Sequence, residues 1–296
     1  MTQTVNTNTE VKKIENPRKK AQRIEYGIKY TVFTLMLVIM LFPFFFMIMK
    51  SLMSITDINA PQTLLFPTQI VFDSYDIIIH GGYLQYIGNS LLVVLINAIF
   101  VPLTSCMVAF PLARYRFPGS NFMFTLILAT SMIPSSVVQV PQYTLFVKFG
   151  LYDNLASQYI GAFFGGSGMQ IFLIIQFMRA LPHELDEAAT IDGANLFMIF
   201  VMIIMPLSFN IFLYTSVGVA MAQWSNFQGP LIYLETDSLF TIAVAFFYRF
   251  GSQGDSKALG HVQMAFAFIM TIVPAILFFC FQKQMIGGVK LGAVKG

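Results

Sequence analysis

The chain has 296 residues, 56% hydrophobic and 10% charged, with a mean hydropathy of +0.71. A water-soluble domain carries about a quarter of its residues as charged side chains, so this composition excludes one and indicates an integral membrane protein. The net charge of +3 is read as leaflet orientation rather than nucleic-acid binding, because the basic residues gather in a few short segments.

Residues 1–28 are polar and basic, carry no motif, and are expected to be a loosely ordered cytoplasmic segment. The first charge-free run is 30–49. It exceeds a signal-peptide core and no small-x-small site follows it, so it is expected to stay as a membrane helix. Further charge-free runs are 91–113, 121–142, 155–178, 196–222 and 262–281. Crossing ~30 Å of hydrocarbon takes about 20 apolar residues in a helix. The expected fold class is therefore an all-α integral membrane protein with six transmembrane helices in residues 29–283 and a tail at 284–296. Six spans put both termini on one side. With the N-terminus inside, the inner segments hold 13 of the 17 Lys and Arg residues, so both termini are assigned to the cytoplasm.

Pro134 and Pro141 are expected to break or kink the third span. Gly161, Gly165, Gly166 and Gly168 are expected to allow close helix contacts in the fourth. Cys106 and Cys280, the only cysteines, both fall in spans and are read as small packing residues, not a metal site or a disulfide framework.

None of the six runs contains Asp, Glu, Lys, Arg or His. Intramembrane ionisable groups mark proton relays and ion pathways, so their absence argues against proton coupling. Sodium coupling is less firmly excluded, since backbone carbonyls at broken helices bind that ion. No Gly-x-x-x-x-Gly-Lys-Ser/Thr loop is present; the Gly251 to Lys257 stretch does not fit one. His80, His183 and His261 fall at span ends or in loops without metal-ligand spacing. The chain is thus expected to have no catalytic residue, to bind no metal or cofactor, and to draw any uphill work from another polypeptide.

Between the fourth and fifth runs lies an acidic segment, residues 182–195. Pro182 is expected in the first turn of a short helix, where its missing N–H costs nothing. Glu184, Asp186 and Glu187 then complement the helix dipole, and Glu184 and Glu187 share a face. Ala188 and Ala189 leave room for another backbone. Asp192-Gly193 supplies a sharp turn, since Gly accepts positive φ, and Pro206 falls roughly three turns inside the next span. Four acids at a cytoplasmic surface run against the usual bias. On the residues alone, a docking element for a soluble partner and a plain loop with helix-capping acids stand level.

The pattern Glu187-Ala188-Ala189, three residues, Gly193, then Ile203 to Pro206 with Met205 at the usual Leu, resembles the cytoplasmic loop of ABC importer permease subunits. The resemblance is to the carbohydrate type, like the smaller membrane subunit of the maltose importer. It extends to Asn89-Ser90-Leu91, Ala113-Arg114-Tyr115-Arg116-Phe117-Pro118-Gly119, Pro134, Pro141-Gln142-Tyr143, Phe149-Gly150-Leu151, Ala189 to Ala194, Trp224 to Leu231 and the Gly-rich end from Gly287 to Gly296. It covers nearly the whole chain from residue 30 onward. The sequence departs from the family at Ser225, where Asn is common, and at Asn210, where a proline is frequent.

The resemblance implies a type I importer permease fold in the bacterial cytoplasmic membrane, with residues 182–195 as a coupling helix. Glu184, Glu187, Ala188, Ala189, Asp192 and Gly193 would then seat on an ATP-binding subunit, which carries ATP and Mg. It further implies a heterodimer with a second homologous permease subunit, an ATPase dimer, and an extracytoplasmic solute-binding protein that meets the outer loop 223–260 at Trp224, Asn226, Phe227 and Pro230. A sugar pathway needs neutral hydrogen-bonding groups, for which Gln139, Gln142, Ser208, Asn210 and Thr215 are the candidates, although polar residues also join helices to one another. The alternatives are a same-class permease for glycerol phosphate or peptide, and a membrane scaffold that transports nothing.

Overall fold

A computed structural model of the chain describes residues 17–62, 64–251 and 259–293. Among these residues no strand occurs; the fold is all-helical. Three of the described helices are long and apolar enough to cross a membrane unbroken: α1 (Pro17–Ser51) over Glu25–Ser51, α4 (Leu84–Arg114), and α14 (Gly260–Ala293) over Gly260–Met285. Short helices α2 (Ile55–Ile58) and α3 (Asp73–His80) fill the link from α1 to α4. Residues 17–28 are helical and lead into the span at Glu25–Ser51. The expected tail is likewise helical up to Ala293, whereas residues 1–16 and 294–296 lie outside the described set.

The remaining windows differ from the expectation of simple spans. The third is α5 (Ser120–Thr130) and α6 (Ser135–Lys148), bent by 95°. Pro134 sits at the break in an extended conformation; it has no N–H and drives the residue before it out of the helical region. Pro141 lies inside α6. The fourth window starts as two 3₁₀ turns, Leu155–Gln158 and Ile160–Phe164, and becomes α-helical only in α7 (Gly168–Arg179). An irregular backbone inside a membrane bundle must find internal partners, and α4 provides them. Asn97 Nδ2 donates to Gln158 O at 3.1 Å, Thr104 Oγ1 to Ala162 O at 2.9 Å, and Gly166 N donates to Ser105 Oγ at 2.8 Å. Gly168 permits the close approach of α7 to α5, since a Cβ there would stand 2.2 Å from Ile127 O.

After α8 (Glu184–Ile191), the fifth window runs through α9 (Leu196–Ile199), a π-helical turn Phe200–Ile204 and α10 (Met205–Leu207). It then bends by 74° into α11 (Phe209–Trp224). Pro206 cannot donate to the carbonyl one turn back, and Met205 N–H instead bonds Phe200 O five residues back. Helices α12 (Gln228–Tyr233) and α13 (Ile242–Phe250) make the long loop 223–260 a folded cap, of which residues 252–258 lie outside the described set.

Two apolar cores sit at opposite ends of α4, whose 31 residues span about 46 Å at 1.5 Å per residue. One gathers Tyr83, Tyr86, Trp224, Ile242, Val244, Phe250 and Phe266; the other gathers Cys106, Phe110, Ile174, Ile175, Met178, Ala189, Ile199 and Ile204. Cys106 packs as expected, but Cys280 is exposed on α14. His261 is buried in the first turn of that helix, at the end of a span.

Candidate functional site

Helix α8 lies at the second end of α4 and is the expected acidic helix. Its start differs from the sequence reading: Pro182 lies two residues before Glu184, outside the helix, and His183 is the N-cap without a side-chain cap bond. Gly193 has φ +83° and turns the chain as expected, because the left-handed region costs glycine nothing. Asp186 and Ala189 face inward. Ala189 joins the apolar core and so offers no room to a partner; Ala188 stays exposed. Glu184, Glu187, Ala188 and Asp192 form the outer surface together with Ile191, which is 86% exposed. Sequence reading passed over Ile191 because a single apolar residue inside a motif looks like core, whereas its position seven after Glu184 puts it on the outer stripe.

A second feature was missed. Arg114, read as an ordinary cytoplasmic cation, is buried at 7% exposure, and so is Asp186. Arg114 Nε donates to Asp186 Oδ2 at 2.7 Å. Its Nη1 donates to Met178 O at 3.0 Å and Leu181 O at 2.7 Å, and its Nη2 to Pro182 O at 2.7 Å. Those carbonyls belong to the C-terminal end of α7 and the link into α8, where a helix no longer supplies its regular N–H donors four residues on. Arg114 thus ties α4, α7 and α8 at one point. Removing one partner of such a pair costs about 3–5 kcal/mol, because the other is left as a buried lone charge.

Farther along α4 is a cavity of about 890 Å³. Asn97, Gln139, Gln142, Gln158, Gln170, Gln223, Asn226 and Gln228 bring carboxamides to its wall, with Ser135, Ser157 and Ser167; Phe146, Phe149, Phe164 and Tyr233 add aromatic surface. Among the described residues no Asp, Glu, Lys, Arg or His lines it. Gln228 Nε2 donates to Gln139 Oε1 at 3.4 Å, joining α12 to α6. Gln170 Nε2 is buried without a partner among the described residues. A carboxamide offers two donors and an acceptor, a set that matches hydroxyl groups without demanding charge.

The structure brings Gln139 and Gln142 together on this wall but not the other three pathway candidates. Ser208 is buried at the 74° bend, Thr215 returns its hydroxyl to Ile211 O and Phe212 O of its own helix, and Asn210 is exposed away from the cavity. Polar residues inside a membrane helix often satisfy their own backbone, which the sequence does not distinguish from pathway lining.

At the opposite end of α4, the expected receptor residues point inward. Trp224 and Pro230 are buried, Phe227 packs against Phe247 with ring centroids 5.2 Å apart, and Asn226 lines the cavity. Phe247 to Arg249 are exposed in the cap, and so is the stretch Glu235 to Ser238. Asp153, with φ 52°, holds it: its carboxylate accepts from Glu235 N at 2.9 Å, Thr236 N at 2.8 Å and the Thr236 hydroxyl. The Thr236 bonds hold the Asp153 carboxyl below the usual carboxylate range. Asn89 Nδ2 donates to Ser238 O at 2.9 Å and Phe240 O at 3.0 Å, and Ser90 Oγ accepts from Ile242 N at 2.8 Å. The Asn89-Ser90 motif is therefore a clamp for the cap.

A multi-pass helical bundle with an uncharged polar cavity, and a surface helix fixed to that cavity's walls, defines a membrane permease subunit. The model of the binding-protein-dependent transport system inner membrane component matches residues 103–289, and the chain belongs to this family of ABC importer permeases. It is 31% identical over 284 residues to the arabinooligosaccharides transport system permease protein AraQ of Bacillus subtilis, covering 94% of this chain and 99% of that one. Over 280 residues it is 28% identical to the multiple sugar-binding transport system permease protein MsmG of Streptococcus mutans (94% and 100%). Over 269 residues it is 28% identical to the sn-glycerol-3-phosphate transport system permease protein UgpE of Brucella suis (88% and 94%). The fold is that of a bacterial ABC transporter involved in the import of the acidic polysaccharide alginate, with a TM-score of 0.77 at 18% identity over 89% of this chain and 97% of that one.

Proposed function

We propose that this chain is one membrane half of an ATP-driven, binding-protein-dependent importer for neutral oligosaccharides. The observation that carries the substrate class is the cavity wall, rich in carboxamides and aromatic rings and free of ionisable charge. A phosphate ester recruits Arg or Lys, and neither lines the cavity, so the solute of UgpE is disfavoured here.

In this reading the chain crosses a bacterial cytoplasmic membrane six times, with residues 155–179 as the fourth passage and both termini in the cytoplasm. Helix α8 seats on an ATP-binding subunit through Glu184, Glu187, Ala188, Ile191 and the Asp192-Gly193 turn. That subunit carries ATP and Mg, and this chain performs no catalysis. A second homologous permease subunit completes the pathway. The solute-binding protein meets the cap at Glu235 to Ser238, with Trp224, Asn226, Phe227 and Pro230 supporting that surface from beneath. Partners that prefer one conformation over the other shift the pair between inward- and outward-facing states.

The test is ATP-dependent uptake into proteoliposomes holding the whole complex, with labelled arabinooligosaccharide, raffinose and sn-glycerol 3-phosphate. Saturable uptake of a neutral sugar is expected. Uptake of the phosphate ester alone would refute the neutral-sugar assignment.

A further inference from the structure

We infer that Arg114 is the positioning residue that carries displacement of α8 to the cavity walls, an inference that rests on the importer reading above. Its guanidinium makes one bond to α8, through Asp186, and three to carbonyls of α7 and the link after it, while its own backbone is the last turn of α4. The same two helices reach the cavity. Asn97 of α4 and Gln170 of α7 both line it, ~25 Å and ~14 Å along the helices from Arg114 and Arg179 at 1.5 Å per residue.

A push on the exposed face of α8 therefore has a short, stiff route to the wall. The Arg114 side chain is fully buried, so water does not soften it. The planar fork holds its four acceptors in fixed directions, which an ammonium on a flexible stem does not reproduce. Asp186 spends one oxygen on Arg114, while Oδ1 is buried with no partner among the described residues. A contact kept only for static stability is better served by full satisfaction; this one retains an acceptor that a shifted guanidinium can take up.

The experiment compares Asp186→Asn, Arg114→Lys and the double variant Arg114→Gln/Asp186→Asn in the complete reconstituted complex, with labelled arabinooligosaccharide as the probe. The double variant leaves no buried lone charge. Co-purification of the ATPase subunit, ATP hydrolysis and sugar uptake are measured on the same preparations. The expected result is assembly and hydrolysis near wild type with uptake reduced about tenfold, so that ATP consumed per sugar rises about tenfold, an ordinary size for coupling between sites. An unchanged ratio in the double variant would overturn the role. So would hydrolysis and uptake falling in proportion, or loss of the ATPase subunit, since either marks a static structural contact. A wild-type complex that takes up no sugar under ATP would count against the importer reading itself, and the inference would fall with it.

Discussion

Substituting the only tryptophan tests how the cap is locked to the bundle. Helix α14 contains Pro274, which has no N–H for the carbonyl of Met270 one turn earlier. Trp224 supplies the missing donor: its Nε1 bonds Met270 O at 2.8 Å, and its ring is buried in the core with Tyr83 and Phe266. Trp224→Phe keeps most of the ring but leaves that carbonyl unpaired, at a cost of about 1–3 kcal/mol. For a chain of this size that corresponds to roughly 2–10 °C in melting temperature. The assay is loss of the monodisperse peak in size-exclusion chromatography after heating the detergent-solubilised protein. A double-mutant cycle isolates the cause, because Pro274→Ala provides a backbone N–H that can serve Met270 O. Introduced into the Pro274→Ala variant, Trp224→Phe should destabilise by less than half of what it does in the unaltered chain. Additive effects, within about 0.5 kcal/mol, would refute the reasoning and leave ring packing as the whole role of Trp224.

Ile191→Asp, which alters no buried contact, should lower recovery of the ATPase subunit in co-purification by about tenfold, as expected when an exposed apolar anchor is lost. Gly193→Pro and Glu187→Lys should abolish uptake while the chain remains inserted; normal uptake by either variant at wild-type membrane levels would count against α8 as the coupling helix. Gln142→Glu should reduce neutral-sugar uptake without lowering the melting temperature, since it puts a charge into a wall that has none. Asp153 has a folded-state pKa below its ordinary value, so its clamp on the cap is fully present above about pH 3.9 and is lost as pH falls through the lower folded value. Amide exchange at Glu235 and Thr236, corrected for intrinsic rates, should speed up below that pH, and Asp153→Asn should show the fast rate at neutral pH.

The membrane class, the position of the acidic helix, the turn at Gly193 and the break at Pro134 were legible in the sequence, because each depends on local chemistry. Apolar runs must leave water, glycine accepts positive φ, and proline lacks a donor. The fourth window misled as a simple span because hydropathy counts side chains and says nothing of the backbone. Its 3₁₀ turns and the link after them bond Asn97, Thr104 and Ser105 on a helix some sixty residues earlier. The same limit hid the pairing of Arg114 with Asp186, 72 residues apart, and the burial of Trp224 and Pro230 in a cap that composition presents as an exposed loop. Thr215 and Gln142 look alike as polar residues in apolar runs, yet one bonds its own helix and the other faces the cavity. The sequence by itself determined that the chain is a membrane protein and which residue types could meet a sugar or a partner. Only the tertiary structure decided which polar groups were already spent on each other, because hydrogen bonds within an apolar bundle are assigned by distance in space and not along the chain.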